Sequence, residues 1–281
     1  MFDAYAINNF TNSLVSVDPA TGDFEIIAPL SGDLDGSTGF QHGGEIINCT
    51  YYATNGTNVY EVDLVTGVST PVIITGPGFT ETFTGLEVDP TTGIFYAVSG
   101  EISANAIQST LWQLDLVNGT ITQVGSPLAS ACAISLVINS TGEAFYIDIC
   151  SNDIYQINLN DGQFIGPRLP IGIDLNTGQD YSFGCAPGSN QVFGYAIRTE
   201  ATVLMQYISI DLDSGETTII QDFGIDQIGS LAFCKDNTTT TQTIPTLSQW
   251  SLIILSLILL IVSVVSLQYE SLAHSTFKFQ H

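Results

Sequence analysis

Positively charged side chains are almost absent from this 281-residue chain. Lys and Arg number 4 against 28 Asp and Glu, which gives a formal net charge of −24. A field of that sign repels phosphate backbones, so the composition excludes a nucleic acid as the main partner. It also argues against electrostatic docking on anionic lipid, while it permits the binding of cations.

Histidine is also scarce, which restricts the catalytic and metal chemistry that the chain can support. Of its 3 His residues, His274 and His281 follow a long apolar segment, and His42 stands alone in a Gly-rich stretch. A Ser-His-Asp relay needs a partnered histidine, and no HExxH, P-loop, GxGxxG or GxSxG pattern occurs. None of the 5 Cys forms a CxxC pair, so zinc spacing is missing. The sequence therefore predicts a protein that is not an enzyme and has no catalytic residue, cofactor or metal centre.

One weak pattern keeps Ca²⁺ open. The segment GDLDGSTG offers Asp33, Asp35 and Ser37 at alternate positions. It has no later bidentate Glu at the spacing of a calcium loop. An ordinary acidic turn is the better interpretation.

Thr, Gly, Asn, Asp, Val and Ile are abundant, and one pattern built from them recurs five times. A short alternating strand is followed by Asp or Asn, and a Gly stands four positions later. The leading residues are Asp18, Asp63, Asp115, Asn158 and Asp211, spaced 43 to 53 residues apart. Such a turn uses the Asx side chain to accept backbone N–H groups and Gly for a positive φ. The spacing is that of a propeller blade.

A second hairpin precedes several copies, as in residues 84–100 and 133–149, so each period supplies four strands. The segment "FDAYAINN" at the N-terminus resembles a second strand, and "IGSLAFCKD" (228–236) resembles a first. Pairing them removes the open edge. We therefore predict an all-β fold, a five-bladed β-propeller closed by pairing of the C-terminal strand with the N-terminal blade. The propeller occupies 1–234, with blades at about 1–30 plus 228–234, 38–75, 84–126, 132–170 and 181–224.

The longer loops all fall on one side of this predicted propeller. Long loops on a rigid scaffold are the usual place for binding groups, although such loops can also only cover the sheet ends. The candidate residues there are His42, Phe79, Phe83, Arg168 and Arg198. An Arg can hold a carboxylate or stack on a ring, but pairing with the many surface carboxylates is the simpler expectation. The side with the long loops is the candidate face for an unknown extracellular ligand.

Two further features concern carboxylates and cysteines. Glu45, Glu87 and Asp89 lie on or near predicted innermost strands, and two carboxylates suffice for glycoside hydrolysis. A surface hydrolase resembling a glycosidase is therefore the alternative function.

Cys132 and Cys150 face each other if their strands pair across the intervening turn, so a cross-strand disulfide or two buried thiols are both open.

The chain ends in a different kind of sequence. A Thr-rich linker (235–243) leads to IPTLSQW and an apolar run in which residues 251–267 are only Leu, Ile, Val and Ser. This run has about the length that crosses a bilayer, and a Trp at its entrance suits the interface. The sequence predicts one transmembrane helix within 244–267, followed by a short tail (268–281).

The IPTLSQW segment resembles the IPTL-CTERM class of bacterial sorting signals. The matching residues are Ile244, Pro245, Thr246, Leu247 and Trp250. The resemblance implies recognition by an exosortase-type membrane transpeptidase, which cleaves near the motif and transfers the ectodomain to the cell surface. The chain departs from the class at Ser251, where Gly is usual, and in its thin basic tail. The repeats also resemble uncharacterised propeller repeats of secreted bacterial proteins, which implies fold but not ligand.

Together these features predict a cell-surface or envelope-anchored β-propeller that acts as a binding or structural module. The propeller is expected outside the cytoplasm, held at the membrane by the C-terminal helix. The first residues, MFDAYAINNF, already belong to a predicted strand. An N-terminal signal peptide is absent from them, so we expect the true start to lie upstream.

Overall fold

The computed structural model describes residues 3–34, 41–48, 50–76, 78–103, 106–173, 182–186, 188–198, 204–224 and 226–234. The chain divides into two compact units, Met1–Lys235 and Asp236–His281. The predicted linker, sorting motif, transmembrane helix and tail all lie outside the described residues. Within those residues, no helix has the length and apolar character needed to cross a bilayer.

The first unit is all-β, and its strands form five sheets around an axis, as predicted. The first blade contains β1 (Ala4–Asn8), β2 (Ser13–Val17) and β3 (Phe24–Pro29). The second contains β4 (Ser31–Gly32), β5 (Gly44–Ile47), β6 (Thr50–Asn55), β7 (Asn58–Val62) and β8 (Val68–Ile73). The third contains β9 (Thr82–Val88), β10 (Phe95–Ser103), β11 (Ala106–Asp115) and β12 (Thr120–Ala129). The fourth contains β13 (Ala133–Ile138), β14 (Ala144–Asp148), β15 (Asp153–Ile157) and β16 (Phe164–Pro170). The fifth contains β17 (Ser182–Cys185), β18 (Gln191–Arg198), β19 (Leu204–Asp211) and β20 (Thr217–Asp222), and β21 (Ile228–Phe233) returns to the first blade.

The predicted closure of the ring is confirmed. Strand β21 pairs antiparallel with β1, with Ala4 opposite Phe233 and Asn8 opposite Ile228. The first blade therefore has the order β21-β1-β2-β3. This pairing joins the two ends of the propeller and leaves no open edge at the seam.

The repeated turns follow the chemistry that the sequence predicts for them. Asp63 accepts hydrogen bonds at Oδ1 from the backbone N–H groups of Val65 (3.0 Å) and Thr66 (2.7 Å). Gly67 then takes a φ of 69°, which a residue with a Cβ rarely adopts. Asn158 makes the corresponding contact with the N–H of Asn160 at 2.9 Å, so Asn replaces Asp without loss of the acceptor.

The hydrophobic core consists of five layers, each between neighbouring blades. Tyrosines are prominent in these layers, and the fully buried ones are Tyr51, Tyr146, Tyr155, Tyr195 and Tyr207. Several connect blades through their hydroxyls: Tyr195 donates to the carbonyl of Gly22 at 2.6 Å. Each blade is covered by a neighbouring blade on both faces, so side chains on both faces of its strands contribute to these layers.

Two faces of the propeller differ in their connections. Each blade is counted from its innermost strand, which is β21, β5, β9, β13 or β17. The turn face carries the turns after the first and third strands in this count, including the five Asx turns. The loop face carries the connections between blades and the turns after each second strand. Innermost strand β21 runs toward the turn face, so the described chain ends there at Cys234.

Candidate functional site

The axis of the propeller is narrow and contains two of the predicted carboxylates. Glu45 on β5 and Glu87 on β9 are both buried and line the same central cavity. That cavity is small, with an empty volume of about 160 Å³. The carboxylate of Glu45 accepts the backbone N–H of Ile46 at 2.7 Å and that of Val88 at 3.2 Å. It therefore links the second and third blades.

Glycines allow this tight axis. A Cβ on Gly44 would collide with the backbone of Ser230, and a Cβ on Gly85 would collide with that of Leu136. The inner strands thus approach one another at backbone distance, because Gly has no side chain to keep them apart. The same approach leaves little space for a substrate between the strands.

His42 lies on the loop face, just before β5. Its carbonyl accepts the backbone N–H of Ser230 at 3.0 Å, so the residue helps to hold the second blade against the first. The residue as a whole is partly exposed, but the ring nitrogen Nδ1 is buried. Burial lowers the pKa of His42 to about 4, which keeps the imidazole neutral at physiological pH.

Phe79 and Phe83 lie together where the chain enters the third blade. Their ring centroids are 5.1 Å apart, and Phe79 also lies 5.3 Å from Trp112 at 69°, a near edge-on arrangement. Phe83 is fully buried, whereas Phe79 and Trp112 are half-buried. Phe83 is thus a core residue, and Phe79 and Trp112 reach the surface beside it.

A chain of hydrogen bonds continues from Trp112. The indole Nε1 donates to Ser99 Oγ at 2.6 Å, and Ser99 Oγ donates to the carboxylate of Glu81. Ser99 is fully buried, so it fixes both neighbours. Our sequence analysis did not select Trp112, Ser99 or Glu81, although Trp112 stands three residues before the turn residue Asp115.

Arg168 stacks on aromatic rings instead of forming the predicted carboxylate pair. Its guanidinium carbon lies 4.6 Å from the centroid of Tyr155 and 5.5 Å from that of Phe164. Tyr155 and Phe164 form a near edge-on pair with centroids 4.6 Å apart. Among the residues whose side chains are described, Arg168 is the only Arg or Lys. The side chain of Arg198, the other predicted Arg, lies outside the described residues.

Hydrogen bonds also lead from Tyr155 to a buried carboxylate. The hydroxyls of Tyr155 and Ser151 are 2.5 Å apart. Ser151 donates to Asp148 from Oγ at 3.3 Å and from its backbone N–H at 3.0 Å. Burial is the main cause that raises the pKa of Tyr155 to about 12, so its hydroxyl stays protonated.

Cys132 and Cys150 are joined by a disulfide beside Asp148, with their Cα atoms 5.5 Å apart. The predicted register holds from Ile138 to Ser135 and then shifts at a bulge, so that Ala133 lies opposite Asp148. Asp148 Oδ2 accepts the backbone N–H of Cys132 at 2.8 Å. The disulfide therefore joins β13 and β14 at their loop-face end, beside the bulge that distorts their pairing.

Metal-ligating side chains come together once within the described part of the chain. The group is Cys132, Asp148 and Cys150, and its two sulfur atoms are bonded to each other. Asp33 of the proposed calcium turn is described, whereas Asp35 and Ser37 lie outside the described residues.

The predicted binding residues do not converge on one point. His42 lies at the entrance to the second blade, Phe79 and Phe83 at the entrance to the third, and Arg168 on the outermost strand of the fourth. They share the loop face but belong to three different places on it. On the turn face, the Asx side chains are engaged by their own turns.

Comparison with known proteins finds one sequence motif and many similar solved structures, two of which are given below. Residues 242–261 match the family model described as the IPTL-CTERM motif. No curated protein matches the chain. A protein of unknown function from Bacteroides caccae has 10% identity and a TM-score of 0.43, covering 80% of this chain and 73% of its own. A luciferin-regenerating enzyme has 11% identity and a TM-score of 0.45, covering 80% of this chain and 76% of its own.

Proposed function

We propose that this protein is a propeller displayed at the cell envelope, where its loop face binds an extracellular ligand. Two facts support the envelope location: the IPTL-CTERM motif at residues 242–261 and the disulfide between Cys132 and Cys150, which suits an oxidising compartment. An exosortase-type transpeptidase is the processing partner that the motif implies. The apolar run that follows the motif supplies the membrane anchor before processing.

The contrast between the two faces carries the assignment of the binding surface. Asp63, Asp115 and Asp211 on the turn face each accept backbone N–H groups of their own turns. The loop face instead presents side chains that differ from blade to blade, including half-buried Phe79 and Trp112. Non-repeated groups on one face of a repeating scaffold are typical of a binding surface. The described chain also ends at the turn face, so its continuation toward the sorting motif does not begin among these groups.

A surface hydrolase acting through axial carboxylates is the alternative. Glu45 and Glu87 do line one cavity, as that function requires. The cavity is small for a sugar substrate, at about 160 Å³, and Glu45 is engaged by two backbone N–H groups. These observations favour a binding module over the hydrolase.

Surface proteolysis of intact native cells tests the proposal. A protease that cuts after Asp and Glu is suitable because these residues number 28, whereas trypsin would find only 4 sites. We expect propeller peptides to be released before any cytoplasmic marker. Release only after lysis would contradict envelope display.

A pair of substitutions tests which face binds. Phe79→Leu alters the loop face, and Val117→Ser alters the turn face at a residue that is 94% exposed. We expect Phe79→Leu to reduce sedimentation of the purified protein with extracellular polymer from its host, and Val117→Ser to leave it unchanged. The reverse pattern would assign binding to the turn face.

A further inference from the structure

The fourth blade contains a complete cation site made entirely from its own side chains. Tyr155 and Phe164 form an edge-on aromatic pair at 65°, and Arg168 lies over both rings. The hydroxyl of Tyr155 contacts Ser151, which donates to the carboxylate of Asp148. The electron-rich ring faces stabilise the guanidinium charge.

The third blade places a different aromatic residue, Trp112, at the matching position of the repeat. Trp112 precedes the turn residue Asp115 by three residues, as Tyr155 precedes Asn158. Trp112 forms an edge-on pair with Phe79 at 69°. Its Nε1 donates to Ser99, which in turn donates to the carboxylate of Glu81. Both blades therefore link an edge-on aromatic pair to a carboxylate through a serine, although Phe79 precedes innermost strand β9 and Phe164 lies on outermost strand β16.

The two blades differ in the residue that lies opposite the central aromatic ring. Tyr155 lies opposite Arg168 on the neighbouring outer strand, whereas Trp112 lies opposite Gln123. Within the described part of the chain, the recorded cation–π contacts all belong to Arg168. Ser99 is also the single hydrogen-bond partner of the Glu81 carboxylate among those residues. A half-buried carboxylate beside half-buried rings thus retains an oxygen that can face a ligand.

We propose that Phe79, Trp112 and Glu81 bind an alkylammonium group of the extracellular ligand, beside Trp112 as Arg168 lies beside Tyr155 in the fourth blade. A cation over an indole face is attracted by the ring quadrupole, and Trp is the strongest of the aromatic partners. The formal net charge of −24 attracts cations to the protein and repels anions. The inference deepens the proposed function, because it rests on the loop face being the binding face.

Tryptophan fluorescence can report this site in the full-length protein. The chain has 2 Trp residues, so Trp250→Phe leaves Trp112 as the only reporter. The probe is choline, and the control is 3,3-dimethylbutan-1-ol, which has the same shape without the charge. We expect a saturable change in Trp112 emission with choline and no change with the neutral isostere at equal concentration. Equal responses to both compounds would show an apolar cleft and overturn the proposal.

Substitutions in the same Trp250→Phe protein locate the binding. We expect Glu81→Gln and Phe79→Leu each to weaken choline binding by about fivefold, since each removes part of the cation's stabilisation. Phe10→Leu, at a residue on the same face that is 64% exposed, is the matched control and should bind as before. Undiminished binding in Glu81→Gln and Phe79→Leu would contradict the proposal.

A positively charged side chain introduced beside Trp112 gives the sharpest test of the proposed site. Gln123→Arg places a guanidinium opposite Trp112, as Arg168 lies opposite Tyr155. We expect this variant to lose choline binding while its unfolding temperature does not fall. Choline binding that survives in Gln123→Arg would show that the probe lies elsewhere. Because this assay uses purified protein, failure here is distinguishable from failure of envelope display, which is measured on cells.

Discussion

The hydroxyl of Tyr51 donates a hydrogen bond of 2.5 Å to the carbonyl oxygen of Ser230, a residue 179 positions away in the chain. Tyr51 is fully buried on β6 of the second blade, and Ser230 lies on β21, the strand that closes the first. Ser230 has a φ of 54°, uncommon for a residue with a side chain. The bond therefore holds a strained point of the closing strand against the neighbouring blade.

Removal of this hydroxyl should destabilise the closed ring. Tyr51→Phe leaves the buried carbonyl of Ser230 without its phenolic donor, and we expect a loss of about 1–3 kcal/mol in the free energy of unfolding. Denaturant unfolding measures the change. Tyr146→Phe is the matched control, because the Tyr146 hydroxyl is buried and has no hydrogen-bond partner among the described residues. A stability loss as large in Tyr146→Phe as in Tyr51→Phe would refute the role of the inter-blade bond.

The disulfide should contribute to stability through the loop that it closes. Cys132 and Cys150 are 18 residues apart, and a loop of that size corresponds to about 3 kcal/mol. We expect Cys132→Ser combined with Cys150→Ser to unfold at lower denaturant concentration than the oxidised protein. A reducing agent should have the same effect on the natural protein and none on the double variant. A reductant effect of equal size in both would assign it to other thiols.

Acid should weaken the Asx turns, because their carboxylates are held ionised in the folded state. Hydrogen bonds from Thr66 lower the pKa of Asp63, those from Asn118 lower that of Asp115, and those from Ser214 lower that of Asp211. A folded pKa below the unfolded value of 3.8 gives stability that is present above that pH and lost as pH falls through the folded pKa.

Replacement of the turn Asp residues by Asn tests this role of their carboxylates directly, because Asn158 already occupies the same position in its own turn. We expect the triple change of these three Asp residues to Asn to leave stability at pH 7 nearly unchanged. The midpoint of acid unfolding should move to lower pH, because the titrating groups are gone. An unchanged acid midpoint, measured by circular dichroism, would mean that other carboxylates control acid unfolding.

His42 should act in a different pH window. Burial lowers its pKa to about 4, below the ordinary value of 6.5. The unfolded chain therefore binds a proton more readily, and stability falls as pH decreases from 6.5 toward 4. We expect His42→Gln to flatten the stability profile in this interval. An NMR titration that gives His42 a pKa near 6.5 would contradict its burial.

The sequence predicted the propeller well because its information is local and repeated. The Asx turn at Asp63 needs only residues close in sequence, and its recurrence gave the blade count. The closure of β21 on β1 followed from counting strands. The bulge near Cys132 was not predicted, since it depends on how β13 and β14 twist inside the fourth blade.

The candidate site was harder to predict because its contacts join the connection before β9 to residues on strands β10 and β11. Phe79 was selected from its loop, but Trp112 and Ser99 lie on strands where an aromatic or small polar residue suggests only packing. Arg168 was expected to pair with carboxylates, and the structure places it over Tyr155 instead. Which ring faces a cation depends on the strand register, which composition and spacing do not reveal.

The most direct test of envelope display is the mass of the mature protein from its native envelope fraction, with peptides that cover both ends. We predict that the chain is cut near Ile244–Trp250 and that the residues beyond the cut are lost, as processing by an exosortase-type transpeptidase requires. A mature protein that still ends at His281 would contradict sorting by the IPTL-CTERM motif and leave the apolar segment as a plain anchor.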